Sequence, residues 1–138
     1  MNIRLYDNDS DRNAVIDLWK SVFSYNTPHN DPPASIDRKL EHNDNLFFVA
    51  ESGGKKIIGT IMAGYDGHRG WIYSLAVSQG YRNRGTGTLL LRHAENELLK
   101  LNCPKIKLQI LNSNADVIDF YRKNGYNVEE TICMGKTL

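Results

Sequence analysis

The residues with the clearest chemical potential are Arg82-Asn83-Arg84-Gly85-Thr86-Gly87-Thr88, a basic run with two glycines and two hydroxyls. Converging backbone N–H groups, two guanidiniums and the positive end of a helix together hold an anion such as a pyrophosphate. Glycine suits such a cradle because, without Cβ, it takes backbone conformations other residues avoid and lets a ligand come close. The run lacks G-K-[ST] and is not spaced as G-x-G-x-x-G, so it is neither a Walker loop nor a dinucleotide fingerprint. Taken alone, the same pattern also serves a plain strand-to-helix connection with solvated arginines.

The flanking segments decide where this run sits. Trp71-Ile72-Tyr73-Ser74-Leu75-Ala76-Val77 is a short apolar, aromatic and β-branched run that predicts a strand. Leu90, Ala94, Leu98 and Leu101 recur at three- and four-residue spacing, one face of a helix that Asn102-Cys103-Pro104 stops. A strand therefore ends, the basic glycine turn follows, and a helix begins.

The remaining elements follow from the same rules. Residues 3–6 form a first strand, and the acidic cluster at 7–11 offers N-caps for a helix carrying Val15, Leu18, Trp19 and Val22 on one face. Trp19 reads as core. The polar loop at 24–33 leads through Asp31-Pro32-Pro33 into a second helix ending near His42, and it is a candidate for shaping a substrate pocket. Residues 46–51 and 57–65 form a hairpin across Ser52-Gly53-Gly54-Lys55-Lys56, and Gly59 and Gly64 mark a bulge or a close backbone contact. The turn Asp66-Gly67-His68-Arg69-Gly70 leads into the strand at Trp71, so these three strands are antiparallel. Residues 105–111 alternate as a strand that, after a helical crossover, runs parallel to 71–77. Asn112-Ser113-Asn114 caps a last helix closed by Lys123-Asn124-Gly125, and 126–138 has terminal-strand character. The order βααβββαβαβ is that of one α/β domain, 1–138, around a mixed sheet.

Composition narrows the function classes. A chain of 138 residues, 41% hydrophobic and 24% charged, has the size and balance of a soluble domain with a real core. A formal net charge of +1 argues against a general nucleic-acid binder. Cys103 and Cys133 are too few for a disulfide framework and lack metal-ligand spacing, so we expect reduced thiols, no metal and a cytoplasmic location. No apolar run approaches membrane-spanning length.

Arg82-x-x-Gly85-x-Gly87, with Asn114 and Phe120-Tyr121-x-x-x-Gly125-Tyr126 downstream, resembles the GNAT superfamily of acetyl-CoA-dependent N-acetyltransferases over nearly the whole chain. Asn30-Asp31-Pro32 and Tyr65-Asp66-Gly67-His68-Arg69-Gly70 also look like the small bacterial YpeA-type subgroup. The resemblance implies a GNAT-like mixed sheet whose two central parallel strands splay apart between flanking helices. It implies acetyl-CoA as acetyl donor, its pyrophosphate on the amides of Arg84, Gly85, Thr86, Gly87 and Thr88, with Arg82 beside it. The pantetheine arm would pair like an extra strand with the backbone of Leu75, Ala76 and Val77, and an oxyanion would meet amides near Ala76 and Val77. Asn114 matches a position that contacts the cofactor arm, a role compatible with plain N-capping. Tyr121 matches the family's general acid, a phenol that stays protonated at neutral pH; the alternative is a half-buried helix aromatic beside Phe120.

The general base has no such match. The family's glutamate positions fall near Trp71 and at Gln109, neither of which is a base. Asp66 and His68, or Glu51 through water, are the remaining candidates, and water alone is another. The expected activity is transfer of acetyl to a primary amine of a small molecule or peptide, with no nucleic-acid or membrane partner. The competing class is a non-catalytic acyl-CoA-binding or sensing module, motivated by the missing glutamates. A single terminal strand, or a very short pair, leaves an edge that fits either a monomer or a homodimer.

Overall fold

The computed structural model describes residues 1–23, 30–111 and 114–138. The pocket-shaping stretch expected at 24–33 lies largely outside these residues, as do Asn112 and Ser113 of the expected cap. Two compact units are present, Met1–Leu108 and Gln109–Leu138.

The first unit runs β1 (Asn2–Leu5), α1 (Asn8–Val22), α2 (Pro32–His42), β2 (Phe47–Glu51), β3 (Ile57–Tyr65), β4 (Gly70–Val77), α3 (Thr86–Lys100) and β5 (Ile106–Leu108). The strands form one sheet in the order β1-β2-β3-β4-β5. The first three pairings are antiparallel, as tight connections require, and β4 pairs with β5 in parallel across the α3 crossover. The sheet is therefore mixed, as the sequence predicts.

Helix entries follow the capping chemistry read from sequence. The Asp7 carboxylate accepts from the Asp9 N–H, and that of Asp31 accepts from the Ala34 N–H with Pro32 in the first helical turn. Alternation along β3 then assigns the two faces of the sheet. Gly59 faces α3, where a Cβ would meet Leu90 and Thr86. Thr60 faces α1, where its hydroxyl meets the Trp19 indole. Val15, Trp19, Ile36, Phe47, Val49 and Met62 form the core on the α1 side, all under 5% exposed. Leu90, Leu91, Ala94 and Leu98 of α3 are fully buried, whereas Leu101 lies past the helix end and is 47% exposed. Asn102, at φ +62, ends the helix two residues before Pro104.

The second unit holds α4 (Ala115–Lys123). It closes on Gly125 at φ +92, with the Tyr126 N–H donating to the Tyr121 carbonyl at 3.0 Å. The strand expected over 126–138 does not form. Val128, Ile132 and Met134 are 71%, 91% and 89% exposed, and this unit offers no second strand among the described residues to complete a ladder. The strand expected over 105–111 is likewise only three residues long. Among the described residues no helix is long and apolar enough to cross a membrane.

Candidate functional site

Pairing between β4 and β5 covers only Gly70↔Ile106, Trp71↔Lys107 and Ile72↔Leu108. β4 continues to Val77, so five of its residues, 73–77, have no strand partner on that side among the described residues. On the other side the ladder with β3 carries a bulge. Met62 pairs with Tyr73 and Thr60 with Ala76, two steps on β3 against three on β4. Ser74 takes the extra step at φ +54. The Ser78 N–H donates to the Ile58 carbonyl at 2.8 Å. Counting back from that bond by antiparallel alternation, Ala76 turns its backbone groups to β3, while Leu75 and Val77 turn theirs into the open side. On that count the N–H groups of Leu75 and Val77 face the open side and that of Ala76 faces β3.

Past Val77 a 3-10 turn, Gln79–Tyr81, leads into the basic run. Asn83 at φ +62 and Gly85 at φ +82 bend the chain back on itself, and Gly85 takes the N-cap position of α3. No side chain caps this helix. Its first backbone bond is Leu89 N–H to Gly85 C=O, 3.0 Å, so the amides before Leu89 have no acceptor within the helix. Arg82 Nε donates to the Val77 carbonyl at 3.1 Å, which anchors the guanidinium beside the strand end. The Arg84 guanidinium lies 5.3 Å from the Tyr81 ring centroid. Neither arginine has a carboxylate partner among the described residues. Uncapped amides, two uncompensated cations and a helix's positive end therefore face solvent at the terminus of an unpaired strand edge. Such an arrangement binds phosphate oxygens at one end and an extended, amide-bearing chain along the other.

Residues 12–126 match the Acetyltransferase (GNAT) family. The chain belongs to this family. An acetyltransferase of Yersinia pestis (strain Pestoides F) is 42% identical over 138 residues, covering all of this chain and 96% of that protein. One of Pectobacterium atrosepticum is 43% identical over the same share of each. The fold agrees: the PaiA N-acetyltransferase of Thermoplasma acidophilum, solved in complex with coenzyme A, superposes with TM-score 0.80 at 20% identity, over 95% of this chain and 92% of that one. The protein is thus an acyltransferase of the GNAT family. The names of these relatives do not reach the YpeA-type subgroup.

The GNAT fold brings some of the expected residues together and separates others. Leu75, Val77, Arg82, Arg84, Gly85, Thr86, Gly87 and Thr88 fall along one continuous path, from the bulge to the first turn of α3. Asp66 and His68 do not join it. They precede the opposite end of β4, and at about 3.3 Å per residue that is on the order of 15 Å from Leu75, outside hydrogen-bond reach even through one water. The Asp66 carboxylate also accepts from the His68 and Arg69 N–H groups at 2.7 Å each. These bonds, Arg69's first, hold it below the usual carboxylate range and leave it a poor base. Glu51 is tied up as well: Arg4 donates to it at 3.1 Å and pulls its pKa down. The structure thus does not bring Asp66 and His68 onto this path.

In the second unit, Tyr121 is buried, 8% exposed, rather than half-buried. Burial pushes its phenol up to about 12. Its ring packs edge-on to those of Phe120 and Tyr126, centroids 5.1 and 5.6 Å away. Asn114 stands at the N-cap of α4 but its side chain makes no capping bond, so that duty does not explain it. Sequence reasoning missed Thr60 and Ser74, which carry the bulge. Gly59, beside Thr60, and Gly64 are the local signals of a bulge or close approach on β3.

Proposed function

We propose that the protein transfers an acetyl group from acetyl-CoA to a primary amine, with the whole chain acting as one catalytic domain. The observation that carries this reading is the join at Val77–Arg82, where an unpaired strand edge runs into an uncapped, basic helix start. Acetyl-CoA has the same two parts in the same order, a diphosphate and an extended arm with two amides. The family match over residues 12–126 includes parts of both units, which supports treating them as one domain.

Acetyl-CoA supplies a thioester: the amine nitrogen forms the new C–N bond as the C–S bond breaks, and the sulfur leaves as thiolate. The amides of residues 84–88, with Arg82 and Arg84, hold the diphosphate. The Leu75 and Val77 backbone orients the arm and offers N–H groups to the carbonyl oxygen. The family resemblance assigns Tyr121 a hydrogen bond to the departing sulfur and Asn114 a contact with the arm. Asp66 and His68 lie away from the path and Glu51 is held by Arg4, so in this reading the amine loses its proton to water. One Yersinia pestis relative, 42% identical, is named an N-acetyltransferase, which supports an amine as acceptor. Two cysteines, both free, fit a reducing cytoplasm.

Calorimetric titration with acetyl-CoA, beside desulfo-CoA and ATP, tests the reading. We expect micromolar acetyl-CoA binding, retained by desulfo-CoA and far weaker for ATP, followed by thiol release in an amine screen. Absence of binding at millimolar acetyl-CoA would refute it.

A further inference from the structure

The bulge in β4 leaves the Ser74 carbonyl without its regular ladder partner, and a buried side chain takes it up. Thr60 Oγ1 donates to that carbonyl at 2.9 Å and accepts from the Trp19 indole N–H at 2.8 Å. Thr60 is 0% and Trp19 1% exposed, so neither the hydroxyl nor the indole N–H has water as an alternative partner. A threonine hydroxyl has one hydrogen to give, and the indole has only a hydrogen to give. The direction of the relay is therefore fixed: Trp19 to Thr60 to Ser74. The relay crosses from α1 through β3 to β4 and ends on the residue whose φ of +54 makes the bulge.

We propose that Thr60, oriented by Trp19, is a positioning residue for the acyl-donor site: it pins the β4 bulge and so sets which backbone groups face the open edge. The inference rests on the acetyl-CoA reading above. In the absence of the bulge, regular alternation would return the Leu75 N–H to β3 and turn Ala76 outward. With the hydroxyl in place, a bulged Ser74 is the arrangement that leaves no buried polar group of the relay unpaired. Losing the hydroxyl orphans both the indole N–H and the carbonyl, and the register that the pantetheine arm reads is no longer enforced.

Thr60→Val keeps the shape of the side chain and removes the hydroxyl; Thr60→Ser keeps the hydroxyl. Two ligands separate a local effect from a general one: acetyl-CoA, which reads both the turn and the strand edge, and 3′-phosphoadenosine 5′-diphosphate, the nucleotide half that reads only the turn. For Thr60→Val we expect acetyl-CoA affinity to fall about tenfold, the worth of the one bond of the two that holds Ser74, while the nucleotide half binds within twofold of wild type. Thr60→Ser should restore most of the loss. Ile61→Val, a methyl deletion on the opposite face of β3, should move neither affinity. Equal weakening for both ligands, or undiminished acetyl-CoA binding by Thr60→Val, would overturn the proposal.

Amide hydrogen exchange gives a readout that needs no ligand. The Ala76 amide, which faces β3, should exchange faster in Thr60→Val while those of 70–72 keep their protection; unchanged exchange would also overturn it. A wild-type protein that binds neither ligand sinks the acetyl-CoA reading instead, and the exchange result still decides whether the relay holds the bulge.

Discussion

Replacing Gly59 by alanine measures how closely α3 is seated on the sheet that carries the donor site. A Cβ at this position would stand 2.8 Å from Leu90 Cδ1, 3.1 Å from the Ala76 carbonyl oxygen and 3.5 Å from Thr86 Cγ2. Carbon atoms prefer separations near 3.5–4.0 Å, so the Leu90 contact is short by about 1 Å. Leu90 is fully buried, so its Cδ1 must shift within a close-packed core to relieve the contact. Overpacking of this kind costs about 1–3 kcal/mol. Alanine recovers roughly 0.5 kcal/mol by restricting the unfolded chain, since no positive φ is required at this position. The expected net loss is about 1–2 kcal/mol in urea unfolding.

The mechanism predicts more than the loss. Leu90→Ala alone should cost about 2–5 kcal/mol through its cavity, and the new Cβ at 59 partly fills that cavity. The double variant should therefore be more stable than the sum of the singles by at least about 1 kcal/mol. Gly53→Ala, where nothing lies within 4 Å, is the control and should stay within about 0.5 kcal/mol of wild type. Additive effects of Gly59→Ala and Leu90→Ala, or a Gly59→Ala protein as stable as Gly53→Ala, would refute the packing argument.

Two further outcomes follow from the titrating groups. A phenol at about 12 that gave its proton wholly to a thiolate of ordinary pKa near 8.5 would climb roughly 5 kcal/mol, so Tyr121 assists by hydrogen bonding as the sulfur departs. Tyr121→Phe should slow thiol release about 10–100-fold with whichever amine the screen returns, and a total loss of turnover with intact acetyl-CoA binding would contradict this role. Asp11 is opposed by burial, but hydrogen bonds from Arg4, at 2.7 and 2.9 Å, and from the Asp7 N–H outweigh it and hold the carboxyl below its usual range. A depressed carboxylate stabilises the fold above the unfolded pKa, near 3.9, and loses that contribution as pH falls through the folded value. Asp11→Asn should therefore cost about 3 kcal/mol at pH 7 and far less near pH 2, and an equal cost at both would show that the ion pair is not its cause.

The elements legible in the sequence are those whose signal is local. Asp7 and Asp31 cap helices because the capping bond spans two or three residues, and Pro32 marks the start of α2 for the same reason. The turn at 82–88 reads correctly because glycine and basic residues are its substance. The face of α3 was overdrawn by one position, Leu101, because periodicity does not say where a helix stops, and Asn102 stops it. The strand expected over 126–138 failed because apolar alternation states a preference for pairing and cannot supply a partner. Asp66 and His68 looked catalytic for their chemistry, but the extended run of β4 puts distance between them and the donor path. Gly59 and Gly64 hint at a bulge on β3, but nothing local points to Ser74 on β4, since positive φ is unusual for its type and the hydroxyl that meets its carbonyl lies 14 residues away.

Gly59 and Thr60 are neighbours on β3, point to opposite faces of the sheet, and govern different ends of the same ligand path. Gly59 has no side chain, so the first turn of α3, with Thr86 and Leu90, can lie directly on the strand; this fixes where the uncapped amides proposed to hold the diphosphate sit. Thr60 reaches the other way and fixes the bulge that exposes the strand edge. The two positions should then show opposite ligand selectivity. Gly59→Ala displaces the helix start and should weaken the nucleotide half and acetyl-CoA alike. Thr60→Val leaves the turn in place and should weaken acetyl-CoA only. If both substitutions gave the same pattern, the strand would be acting as one rigid support, and the division of the site into a phosphate end and an arm end would have no energetic meaning.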